Sequence, residues 1–284
     1  MNGAGAIALY ALRESTRRRV FVVVLVLTTA FLALYAVGTE AAFDAVDAAG
    51  GEDVEIDDQV LTGSTLLGLA MFTTLFLGCV LAVFLTLGVV RGDAERGLLQ
   101  PLVVRPLGRA ALLGGRFIAA AGVCAAYVGT VYAAAVVITG LAGGWWPDQP
   151  LSPGLSLVAG VILIAALSLL GSVFLSANAN GIAVFMAFGA GLAAGLLGQI
   201  GDALAVDSLE TVASVASWLL PFEALYQAGL DDLTADVSGT TGVIVRLGPF
   251  GGAQEGGVLL WLWSLAYLAL VGAAARAAFA RRDL

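Results

Sequence analysis

Six stretches of the chain are apolar without strand-like alternation: about Val20–Gly38, Leu61–Val90, Phe117–Gly144, Leu155–Ser176, Gly181–Ile200 and Gly256–Ala275. Crossing ~30 Å of hydrocarbon takes roughly 20 such residues. No water satisfies backbone groups in that medium, so these stretches are expected to be α-helices. Polar positions gather between them. Gln59–Val90 and Phe117–Pro147, 32 and 31 residues long, hold no charge at all. Stranded between them is a charged island, Arg91–Arg116 (RGDAERGLLQPLVVRPLGRAALLGGR), with five arginines, two acids and two prolines. The pattern predicts an all-α fold, a polytopic membrane protein with six transmembrane helices in a single domain over residues 1–284.

Composition agrees: 60% of residues are hydrophobic and only 12% charged, with a mean hydropathy of +0.97. A soluble domain of this size carries about a quarter charged residues. Charge also orients the chain. Twelve of thirteen arginines lie in the N-terminal segment (Arg13, Arg17, Arg18, Arg19), the island and the C-terminal segment (Arg276, Arg281, Arg282); Arg246 is the exception. Seventeen of twenty-one acids fall in the alternate loops, eight of them in Glu40–Asp58. The positive-inside rule then puts both termini and the island in the cytoplasm of a multi-pass protein of the cell (plasma) membrane. All five tryptophans (Trp145, Trp146, Trp218, Trp261, Trp263) fall at the opposite, outer boundaries, as an interfacial belt does. The first span is expected to be retained rather than cleaved as a signal peptide. Residues 1–19 read either as an interfacial entry helix on the inner leaflet or as a basic tail. The pI of about 4.4, with arginine as the only base, suits a high-salt setting.

Absences narrow the chemistry. The chain has no histidine and no lysine, and its two cysteines, Cys79 and Cys124, lie within spans. No disulfide framework or zinc cluster is expected. A phosphate-binding loop of the Walker A type needs its lysine, so the chain is expected to have no ATPase site, catalytic residue, cofactor or metal of its own. No nucleic-acid partner is expected. The six stretches carry no ionisable residue at their centres, where a charge costs at least ~2.5–3.5 kcal/mol. That counts against an ion-coupled secondary transporter.

Within the island, acids at the start of Asp93-Ala94-Glu95-Arg96-Gly97-Leu98-Leu99 suit a helical turn, and Pro101 and Pro106 prevent one continuous helix. A short amphipathic element along the membrane is expected, braced by arginines, with Glu95 and Arg96 directed toward the cytoplasm. The run from Asp93 to Arg116 resembles the first cytoplasmic loop of ABC transporter permeases of the type-2 export (ABC-2) family. Glu95, Gly97, Leu98, Arg105, Pro106, Arg109, Leu113, Gly114 and Arg116 fall on or near that pattern. Leu98 departs from the usual Thr, and Gly115 is extra. Ala8 to Glu14 with Arg17–Arg19 is similar to the family's entry helix, and Phe279–Leu284 to its Phe-x-Arg-Arg-Asp-Leu ending. Leu220–Tyr226 resembles, without the Asn, its Asn-Pro region.

The resemblance implies a permease subunit, homodimeric or heterodimeric, that moves a substrate with ATP hydrolysed on a separate cytoplasmic ATPase, which holds the ATP and Mg²⁺. Asp93 to Arg109 would be the coupling element, with Asp93, Glu95, Arg96 and Gly97 at the docking surface and Arg105, Pro106 and Arg109 bracing it. The other reading of these arginines is that they set topology and touch lipid headgroups. The alternative function is a non-transporting membrane anchor or regulatory component of an ATPase complex.

Three features elsewhere stand out. Ser168, Ser172 and Ser176 recur every four residues on one face. They line a substrate path or bond between helices and back to their own backbone, while Asn178 and Asn180 suit a tight turn. Ala187, Gly191 and Gly195 form a small-residue ridge, either a dimer seam or a contact within the subunit. The outer segment 201–256 is long for a plain loop. Within it, Leu209, Val212, Val215 or Ala216, and Leu219 are spaced as an amphipathic helix, either at the outer surface or dipping into the bilayer. Thr234–Gly257 reads as loop, and Glu40–Asp58 as a solvated acidic loop without EF-hand spacing.

Overall fold

The computed structural model describes residues 19–49, 57–87, 109–234 and 256–281. These form eight helices and, among the described residues, no strand. They are α1 (Arg19–Ala49), α2 (Asp58–Thr86), α3 (Arg109–Gly143), α4 (Leu151–Phe174), α5 (Ala177–Leu204), α6 (Asp207–Leu219), α7 (Pro221–Thr234) and α8 (Val258–Ala280). Six of them, α1 to α5 and α8, are long and apolar enough to cross a membrane.

Helix boundaries differ from the expectations where polar residues continue a helix beyond the bilayer. Helix α1 runs on through Glu40, Asp44 and Asp47 to Ala49, so half of the expected acidic loop is helical. Its Phe43 is buried, and its ring occupies the space where a side chain on Gly143 would stand. Helix α3 starts at Arg109, so the last part of the island, through Arg116, already belongs to the helix. Asp57 caps α2, its carboxylate accepting from the Val60 amide at 3.1 Å, as an N-cap side chain satisfies one of the free amides of a first turn.

Helices α2 and α4 are the most enclosed of the six, and α1 and α8 the least. The core is built from Leu67, Met71, Leu75 and Leu81 of α2, Val128 of α3, Leu157, Val161 and Ile164 of α4, and Phe222 and Leu225 of α7. Lipid tails are as apolar as these side chains, so shape matching rather than water exclusion holds the helices together. Gly78 illustrates the match: a Cβ there would sit 2.8 Å from Val161 and 2.9 Å from Val128, so α2, α3 and α4 meet over a missing side chain. Hydroxyl pairs bind α1 to α3, Thr28 to Tyr127 at 2.5 Å and Tyr35 to Thr139 at 2.6 Å. A second, smaller core of Leu113, Leu169, Val173, Ala275 and Phe279 closes the end of the bundle where α3 starts and α8 stops.

The segment between the last two spans carries the expected amphipathic helix and a second helix beside it. These two helices, α6 and α7, fold back along α5 and α4 as a hairpin. Helix α6 descends along α5, with Glu210 and Leu209 against Gly201 and Ala213 against Gly198. Helix α7 climbs back along α4: the Phe222 carbonyl is 3.3 Å from a Cβ placed on Gly160, and Gly229 lies beside Ser156 and Pro153. Gly160 is nine residues into α4, which at 1.5 Å per residue is about 14 Å below its start. The tip of the α6–α7 hairpin therefore reaches about the middle of the bundle.

Candidate functional site

The island between α2 and α3 falls largely outside the described residues. Asp93, Glu95, Arg96, Gly97, Arg105 and Pro106 are there, as are 1–18 and 282–284. Arg109 is the first residue of α3, and Arg116, two turns on, is half-buried.

The end of α2 that leads into the island is clasped from two sides. The hydroxyls of Thr86 and Ser168 are 2.6 Å apart, both fully buried. The Asn180 amide donates to the Ser168 carbonyl at 2.9 Å and lies 3.3 Å from its hydroxyl. Three helices, α2, α4 and α5, thus converge on one serine. Asn180 fits because Gly171 of α4 has no side chain: a Cβ there would collide with the Asn180 amide oxygen. The three serines have three different settings. Ser168 makes the clasp, Ser172 donates back to the Leu169 carbonyl at 2.7 Å, and Ser176 is exposed between α4 and α5. Asn180 lies in the first turn of α5 and reaches back to α4, rather than forming the tight turn itself.

The middle of the bundle, at the tip of the α6–α7 hairpin, holds a feature that hydropathy alone does not mark. Glu223, in the first turn of α7, is 5% exposed, and its carboxylate accepts from the Gln227 amide at 2.9 Å. Both press on Gly195 of α5, where a Cβ would lie 2.7 Å from the carboxyl carbon and 3.1 Å from the Gln227 nitrogen. One turn along, a Cβ on Gly191 would lie 2.7 Å from the Phe222 ring, and that ring stacks on Phe188 with centroids 5.7 Å apart. Two members of the Ala187–Gly191–Gly195 ridge are thus the floor on which α7 rests, within one chain; Ala187 is half-buried. The Gln227 carbonyl oxygen and the Tyr226 hydroxyl are buried with no partner among the described residues.

An acid therefore sits at mid-bundle depth after all. Hydropathy does not mark it, because Glu223 lies on a helix of 14 residues, too short to span a membrane. The i, i+4 pair Glu223–Gln227, behind a proline and inside the apolar run PFEALY, was the available signal. An ionisable group at such depth is retained at a cost and points to function. The first turn of a helix is favourable for a carboxylate.

The hairpin tip is tied to α8. The Trp263 indole donates to the Trp218 carbonyl at 3.1 Å, and the Tyr267 hydroxyl to the Leu219 carbonyl at 2.7 Å. The Trp263 ring also packs edge-on against Trp218 and Tyr267, with centroids 5.1 and 6.0 Å apart. The last carbonyls of α6 have no partners in their own helix, and in hydrocarbon each would cost several kcal/mol if left bare. At the far end of α7, the Ser152 hydroxyl donates to the Asp232 carboxylate. Among the described residues no group of three or more metal-ligating side chains occurs.

The chain matches the family model described as "ABC-2 family transporter protein" over residues 6–284. No curated protein matches it. A match over nearly the whole length, on a chain with six span-forming helices, establishes that the protein belongs to the ABC-2 family of transporter membrane proteins and is a multi-pass membrane protein.

Proposed function

We propose that the chain is the membrane-spanning permease subunit of an ABC transporter of the plasma membrane, moving its substrate with ATP hydrolysed on a separate ATPase. Two such subunits, identical or different, pair with two cytoplasmic ATPase copies that hold the ATP and Mg²⁺. The chain itself has no lysine for a phosphate-binding loop and depends on that partner. Both termini and the island face the cytoplasm, in keeping with the arginine distribution.

The observation that carries this reading is the family match across residues 6–284, joined to the island's place between α2 and α3. Asp93 to Arg109 is the coupling element. Asp93, Glu95, Arg96 and Gly97 meet the ATPase, and Arg105, Pro106 and Arg109 stiffen the return. Two prolines in the island fix its backbone, so a push is transmitted rather than absorbed. The push reaches α2 and, through Thr86, Ser168 and Asn180, α4 and α5 together. Helix α5 carries the floor of the α6–α7 hairpin at Gly191 and Gly195, which supplies a mechanical path from the island to the opposite face.

The test is co-purification from mild detergent at native salt, with Glu95→Ala/Arg96→Ala/Arg109→Ala as comparison. An ATPase should accompany the wild type and be lost from the folded triple variant. Inside-out vesicles holding both subunits should move solute only with hydrolysable ATP. Recovery of a monodisperse wild type with no ATPase, or equal recovery with the variant, would remove the coupling assignment. ATPase binding without ATP-dependent movement would favour the anchor role.

A further inference from the structure

A cleft of about 230 Å³ opens where α3 begins and α8 ends, between α3, α4 and α8. Leu113, Phe117, Leu169, Leu268 and Gly272 line it, and Arg276 stands at its rim. The lining is apolar apart from that arginine. Arg276 is exposed and makes no hydrogen bond or ion pair among the described residues. From Leu268 to Arg276 is eight residues of α8, about 12 Å along the axis. One leaflet of a ~30 Å hydrocarbon core is about 15 Å deep. The slot therefore matches the depth of a single leaflet, with a positive charge at its polar end.

We infer that this cleft is a binding site for an anionic glycerophospholipid of the leaflet on which both chain ends lie. One acyl chain lies in the slot and the phosphate pairs with Arg276. Charge complementarity selects this occupant, because a basic side chain between helices at a membrane surface recognises anionic headgroups. A wholly apolar partner helix would leave the guanidinium unmatched. Gly272 faces open space in the slot: a Cβ there meets nothing within 4 Å.

The experiment titrates the detergent-purified chain with phosphatidylglycerol and with phosphatidylcholine and counts bound lipids by native mass spectrometry. The wild type is expected to hold phosphatidylglycerol roughly fivefold more tightly, the worth of one basic side chain at a membrane surface. Arg276→Gln should erase that preference, Arg276→Lys should keep it, and Arg281→Gln, also exposed at the end of α8, should not change it. Gly272→Leu fills the slot while leaving the arginine, and should weaken binding of both lipids. Equal binding of the two lipids by the wild type would overturn the proposal without any variant. So would an unchanged preference in Arg276→Gln, or loss of a dimer in Gly272→Leu with lipid binding intact, which would make the slot an interface between copies.

Discussion

At the scale of single residues, the arrangement on α5 depends on what is missing. Gly195 and Gly191 leave the space that the Glu223 carboxyl and the Phe222 ring occupy, and Gly171 does the same for the Asn180 amide. Overpacking a well-filled interior costs about 1–3 kcal/mol, so Gly195→Ala should lower stability by about that much in a detergent unfolding assay. The cause is specific and so is the check. If the added methyl collides with Glu223, then Glu223→Ala in the same chain removes the collision, and Gly195→Ala should cost much less in that background. Residues in contact show such coupling, whereas distant ones add within about 0.5 kcal/mol. Strict additivity would mean that the carboxyl does not rest on Gly195. The ridge was legible in the sequence as small residues four apart, but its partner was not. A glycine stripe states only that something comes close, and the something here is a polar pair on a helix with no hydropathy signal of its own.

At the scale of elements, the α6–α7 hairpin shows where periodicity misleads in a lipid setting. The spacing of Leu209, Val212, Val215 and Leu219 does give a helix, α6. In water its apolar face would turn inward. Here Val212, Val215, Trp218 and Leu219 are all more than half exposed, while Ala213 meets Gly198 of α5. Leu209 aside, the large apolar residues of α6 face outward and the small Ala213 faces the protein, as suits an apolar solvent. The hairpin's stability then depends on satisfying its tip. Hydrogen bonds between membrane helices average about 0.6 kcal/mol and reach about 1.7. A helix-end carbonyl with no alternative partner belongs at the upper end of that range. Tyr267→Phe, which strips the donor to the Leu219 carbonyl, should therefore destabilise by about 1–2 kcal/mol and speed amide exchange around Leu220. Tyr132→Phe is the matched control. Its hydroxyl is buried with no partner, so losing it should be neutral or stabilising. Equal effects of the two substitutions would remove the capping role.

At the scale of the whole molecule, the number of spans and their approximate limits were legible because twenty apolar residues in a row have few alternatives in lipid. Depth of the connecting segments was not, since a re-entrant helix is set by its contacts and not by its own composition. Orientation still rests on charge: twelve arginines on one side against one on the other. That asymmetry has a direct consequence, because an ATPase works in the cytoplasm and the island can meet it only from there. The two native cysteines leave the experiment clean. Cys79 and Cys124 are fully buried, and a buried thiol among apolar groups is inert. Single cysteines introduced as Asp148→Cys, at an exposed position between α3 and α4, and as Ala94→Cys, in the island, should therefore be the only reactive thiols in their chains. In intact cells a membrane-impermeant maleimide should modify the first and spare the second, and permeabilisation should expose the second. Labelling of Ala94→Cys from outside intact cells would turn the molecule over, and the island would then have no ATPase to meet.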